Sequence, residues 1–334
     1  MAVLFGLLVC PASWGEEESP PLEEQVPDYR TLMLRNMLLP GSAQLALGQR
    51  GEGIVYLASL PLQVVGTTMM VAQLVLTASD AHLGLGGEGS RTYLLEEDDP
   101  SRTPGEQWLF YAGTTISLYG GLLGAYSQYA AHRDYVDRYG ERAGLQSLRT
   151  GRERLPELLA APFRPRAVFS LDVLPVLALI FAGTLAVEDI GAVGAYFGRE
   201  TVPFMGMLVS PWAGLGLRLA TAMLLVTANA TLEEVAYRGL SLEQVGVARS
   251  SLAFGLAHLS NALLPGVSVE DTLLQTLFAL GYGFYAAHAT VAAGYRLERM
   301  VALHYWNNIL AFTLGYLVDP ESQRELGIGI RLPL

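Results

Sequence analysis

Three spacings of four residues stand out in the second half of the chain: Glu234 with Arg238, Phe254 with His258, and His304 with Asn308. Four residues is just over one helical turn, so each pair shares a helix face. An acid, two imidazoles and a carboxamide are the groups that take a proton from water and donate hydrogen bonds to an oxygen gaining negative charge. Glu234 is expected to be neutralised by Arg238. Glu233 lies about 100° further round the helix and lacks that partner, which makes it the candidate proton carrier.

All three pairs lie in apolar sequence. Of the 334 residues, 51% are hydrophobic and 16% charged, whereas a soluble chain carries nearer a quarter charged. Seven runs, near 53–77, 108–131, 167–187, 213–238, 249–265, 272–294 and 300–318, approach the roughly 20 residues that a helix needs to cross a bilayer. The sequence therefore predicts an all-α, polytopic membrane bundle of seven to eight helices. An ionised side chain near a bilayer centre costs on the order of 3 kcal/mol, so acids and histidines in these runs need a reason to be there. Taken alone, EEVAYR is equally the polar end of a span, and each histidine or asparagine equally a helix-packing hydrogen bonder.

The loops supply an orientation. DAHLGLGGEGSRTYLLEEDDPSRTPGEQ holds two arginines, and HRDYVDRYGERAGLQSLRTGRERLPELLAAPFRPR holds eight. By the positive-inside rule the second loop is cytoplasmic. Propagated along the spans, this brings Glu233, His258 and His304 in from the same cytoplasmic side, where they are expected to share one polar cavity. The second loop reads as a solvated linker, its surface helix broken near Pro156. Residues 1–15 read as a signal-like segment or an uncleaved anchor, followed by an acidic, proline-rich stretch. A cleaved signal conflicts with the orientation unless the chain crosses once more near residues 31–48. LPGSAQLALGQRGEG within that stretch reads as a glycine-rich interfacial turn. The net charge of −11 excludes a nucleic-acid partner. A single cysteine, Cys10, excludes an internal disulfide.

E-E-x-x-x-R at 233–238, F-x-x-x-H at 254–258 and H-x-x-x-N at 304–308 together resemble the signature motifs of the CAAX prenyl protease and bacteriocin-processing family. The resemblance covers about residues 167–320. It implies an intramembrane endopeptidase in which Glu233 is the general base and His258 helps hold the water. His304 and Asn308 would donate to the oxyanion. Arg238 would hold Glu234 away from Glu233, and Phe254 would wall the cavity. No cofactor is required in this reading. The alternative is Zn²⁺ on Glu233, His258 and His304 with an open fourth position, although no H-E-x-x-H occurs. The implied partners are the lipid bilayer and a peptide or membrane-protein substrate, and the expected location is a bacterial plasma membrane. A non-catalytic immunity or scaffold protein on the same fold is the rival reading.

The expected organisation is a signal-like and acidic segment (1–30), a helical hairpin module (31–132), an arginine-rich linker (133–166), the family-like domain (167–320) and a tail (321–334). His82, His132 and His288 are expected to play no part in the chemistry.

Overall fold

A computed structural model describes residues 26–82, 104–145, 149, 151–187, 190–259 and 269–320. Within them the protein is all-α apart from one small hairpin. The signal-like segment and the tail lie outside the described residues, as does His258's expected neighbour Asn261.

The chain begins with three short helices, α1 (Tyr29–Leu38), α2 (Ser42–Ala46) and α3 (Arg50–Leu57). The ten residues of α1 span about 15 Å, half of what a crossing needs. The extra crossing near 31–48 is therefore not there. Two long helices follow, α4 (Ser59–His82) and α5 (Pro104–Tyr139). They run antiparallel and very close, because glycines face backbone: a Cβ on Gly66 would meet the Gly113 carbonyl oxygen at 2.5 Å, and one on Gly120 the Ser59 carbonyl oxygen at 2.9 Å.

The arginine-rich segment is not a solvated linker. Pro156 starts a helix, α6 (Leu155–Ala160), instead of breaking one, since a missing N–H costs nothing in the first turn. Just before it, Glu153 is buried: its carboxylate accepts from the Leu297 backbone N–H at 2.8 Å, and its carbonyl accepts from the Tyr126 hydroxyl at 3.0 Å. Leu158 and Ala161 complete the same buried cluster. An acid flanked by arginines reads as surface in sequence. Here, long-range partners on other helices draw it inward.

A four-residue helix, α7 (Pro165–Val168), then leads to α8 (Leu174–Val187) and α9 (Ile190–Phe197). The expected span near 167–187 is thus interrupted before Leu174. Next come strands β1 (Val202–Phe204) and β2 (Met207–Val209), paired antiparallel. Met205 and Gly206 form their turn, both with positive φ, at 45° and 75°, as a tight two-residue hairpin requires. Val202, Phe204 and Met205 are buried against α10 (Pro211–Glu234) and α13 (Glu298–Val318).

α10 starts on Ser210, whose hydroxyl caps the Ala213 N–H, with Pro211 as its first residue. It ends in a seven-residue π-helical turn, Val235–Ser241, that leads into α11 (Leu242–Ala257). α11 is broken at Gly246, where φ is 80° and ψ 170°. The last long helix before α13 is α12 (Val269–Ala292). α11 and α12 are antiparallel neighbours, with Gly255 against Leu280 and Gly283 against Ser251. α10 and α13 also run antiparallel, from Gly214 beside Tyr316 to Glu233 beside His304. α5 lies parallel to α10. Its Tyr111 and Tyr119 hydroxyls donate to the carbonyls of Thr221 (2.8 Å) and Leu224 (3.3 Å).

Two stretches among the described residues are long and apolar enough to cross a membrane, Arg50–Gln73 and Pro211–Ala257, on length and composition alone. A shorter apolar stretch is Leu174–Gly183. The other expected spans form helices that are too short or too interrupted by polar residues to stand out this way.

Candidate functional site

The motif residues lie where three things meet: the end of α10 with its π turn, the second half of α11, and the first turns of α13. Glu234 is at the centre and has no exposed surface. Its Oε1 accepts from the His304 ring (Nδ1, 2.9 Å) and the Tyr282 hydroxyl (3.1 Å), and lies 3.4 Å from Nη1 of Arg238. Such convergence suits a carboxylate, which only accepts. It also fixes the ring: Nδ1 of His304 carries the proton that goes to Glu234.

Arg238 is as buried as its partner. Its guanidinium stacks over the Phe254 ring, 4.0 Å from the centroid, and reaches Tyr282 at 5.3 Å. The stacking supplies cation–π attraction where water is absent. Phe254 is therefore more than a wall, since Tyr237, Tyr282, His258 and His304 all pack on it at 4.9–6.0 Å between ring centres.

Glu233 differs from its neighbour in each of these respects. Its side chain is 24% exposed. Its Oε2 has no hydrogen-bond partner and faces Nε2 of His304 at 3.5 Å, longer than a good hydrogen bond. With Nδ1 committed to Glu234, Nε2 is the nitrogen that the His304 ring turns towards Glu233. Between these two groups a proton has a place to be held, and a water molecule can be held beside them on the exposed side of Glu233.

The remaining motif residues lie near His304: His258 packs on the same Phe254 ring, and Asn308 is one turn further along α13. His258 donates from Nδ1 to the carbonyl of Phe254, 3.0 Å away in its own helix. A carbonyl only accepts, so His258 Nδ1 is the protonated nitrogen and Nε2 the free one. His258 and His304 rest on the same phenylalanine, without a hydrogen bond between them among the described residues. Asn308 is buried, and its carbonyl oxygen accepts from the Asn307 amide at 3.1 Å. That leaves the Asn308 N–H groups as donors, and it draws in Asn307, which helical spacing alone turns away from the site.

No group of three or more His, Cys, Asp or Glu side chains among the described residues is arranged to hold a metal ion. The zinc set of Glu233, His258 and His304 does not fit this geometry.

Tyr282 is the residue that sequence reasoning missed. It lies in ALGYGFYAAH, where its spacing matches no motif. A buried tyrosine must still find a partner for its hydroxyl, and that requirement was the available signal. His132, read as ordinary in sequence, was also passed over.

No family model, no curated protein and no solved structure matches this chain.

Proposed function

We propose that the protein is a polytopic intramembrane endopeptidase that hydrolyses a peptide bond with a water activated by Glu233. One observation carries this reading: a half-open carboxylate without a hydrogen-bond partner faces the free nitrogen of a histidine whose other nitrogen is fixed by a buried acid. Glu234, by contrast, has no exposed surface and gathers His304, Tyr282 and Arg238 on one oxygen.

In this mechanism Glu233 takes a proton from water as the oxygen attacks the substrate carbonyl. His258 accepts the water's second hydrogen at Nε2 and orients it. The negative charge forming on the carbonyl oxygen is met by the free N–H of Asn308. His304 is not an oxyanion donor while neutral, because its one proton is given to Glu234. It donates from Nε2 only when that atom is protonated, and it is then placed to pass the proton to the leaving amine. Arg238 and Tyr282 hold Glu234 still, so that the ring of His304 cannot turn.

The membrane setting rests on composition and on the exposed apolar surface. Leu171, Leu179, Leu208 and Trp212 are all more than 70% exposed, which water would disfavour and lipid would not. The apolar runs and the arginine asymmetry support a setting in a bacterial plasma membrane with the site towards the cytoplasm. The substrate class is a peptide or membrane protein.

The test compares cells carrying Glu233→Gln with wild type by proteomics of the membrane fraction. Uncleaved membrane-associated peptides should accumulate in the variant. The rival scaffold reading expects no change, because Gln keeps the size and polarity of the side chain.

A further inference from the structure

His132 has a buried relay of its own, far from the motifs in sequence. The Tyr29 hydroxyl meets Nδ1 at 2.7 Å, and Nε2 meets Glu243 Oε2 at 3.1 Å. The other oxygen of Glu243 accepts from the backbone N–H of Arg149. His132 is 1% exposed and the Glu243 side chain 6%. The acid can only accept, so Nε2–H donates to it and the tyrosine O–H donates to Nδ1. Burial, and then the Glu243 carboxylate, push the Tyr29 phenol up to about 12, so it stays a donor and offers no nucleophile. All the polar atoms of the relay are satisfied, which makes it a strut between three distant segments.

What the strut holds is unusual. Glu243 sits two residues past the π turn and three before the break at Gly246. A π turn is rare and needs support from its surroundings, and the break means that no continuous helix fixes the short piece between. Its position is set by what it touches. α5 supplies two of these contacts: Tyr129, against which Gly239 packs so closely that a Cβ would lie 2.9 Å from the ring, and His132 one turn further on. A third is the Ser250 hydroxyl, which donates to the carbonyl of Tyr237 at 2.6 Å.

The π turn also carries Arg238, the residue that joins Glu234 to Phe254. Relaxing it to α geometry would rotate the piece up to the break at Gly246 by about 100° relative to α10. Arg238 would then lose Glu234 or Phe254, and with Phe254 the contact that ties the second half of α11 to the site.

We propose that His132 is a positioning residue for the Glu233 site: through Glu243, the N-terminal module keeps the π turn in the register that the site requires. This rests on the proposed function for its catalytic meaning, while its geometric content stands alone.

The experiment uses the full chain in nanodiscs, with Cys10→Ser and spin labels on the exposed positions Leu224 and Leu252 on either side of the turn. His132→Ala should shift or broaden the distance between the labels. It should also raise amide hydrogen exchange across 235–245 at least tenfold while α13 stays protected. His132→Gln, which offers a donor and an acceptor at similar reach, should restore both. An unchanged distance with His132→Ala, or exchange raised evenly over α10 to α13, overturns the proposal. In cells, His132→Ala should reproduce in part the peptides that accumulate with Glu233→Gln. If Glu233→Gln accumulates none, the protease reading alone falls, and the label distance still decides the role of His132.

Discussion

Two histidines in this protein stand beside a buried carboxylate, and they are finished to different degrees. His132 has both nitrogens satisfied, by Tyr29 and Glu243. His304 has one nitrogen held by Glu234 and the other facing Glu233 across 3.5 Å, with an oxygen that nothing satisfies. A completed relay holds shape. An incomplete one in an otherwise well-packed region keeps a place for something that comes and goes, and unsatisfied buried polar atoms are the mark of such places.

The contrast can be broken by experiment. Glu233→Gln should give the largest effect, a fall in turnover of about 10²–10⁴-fold, the range a general base contributes, with the thermal unfolding midpoint in detergent unmoved. A lowered midpoint would make Glu233 architectural after all. Glu234→Leu should do the reverse and act first on stability. It strands Arg238 without its counter-charge, a loss of about 3–5 kcal/mol, visible as a lowered unfolding midpoint. His132→Phe fills the space and leaves Glu243 and Tyr29 short of a partner, a loss of about 1–3 kcal/mol by the same measurement. Tyr29→Phe removes one hydrogen bond and should cost about 0.5–1.5 kcal/mol. A Tyr29→Phe loss exceeding that of His132→Phe would show that the two do not act in one relay.

The pairing of Glu234 with Arg238 was legible because residues four apart are neighbours on a helix, and the pair forms even though Arg238 lies in the π turn. His258 and His304 were legible as residues of unusual type in apolar helices, and Phe254 by its spacing from His258. That they share one cavity was expected from their common side; its centre on Glu234 and Tyr282 was not, because it depends on a tyrosine and on a break at Gly246 that no local pattern announces. The hairpin at 202–209 was within reach: Pro203 and Gly206 interrupt an apolar stretch, and the turn at Met205–Gly206 follows a known preference for glycine. The burial of Glu153 was not legible, since the Leu297 N–H that binds it lies 144 residues away. Helix type is a local property, whereas a polar residue's depth is decided by its partners.

One feature of the N-terminal half reaches beyond the site. The tyrosines of α5 donate to mid-helix carbonyls of α10, and the groove at Gly239 is filled by Tyr129. A fragment beginning after residue 145 would leave that groove empty and expose a ladder of apolar and tyrosine-sized hollows along α10. Expressed alone, such a fragment should aggregate or be degraded. Supplied in trans with residues 1–145, it should be rescued, because the two pieces carry the complementary surfaces needed to find each other.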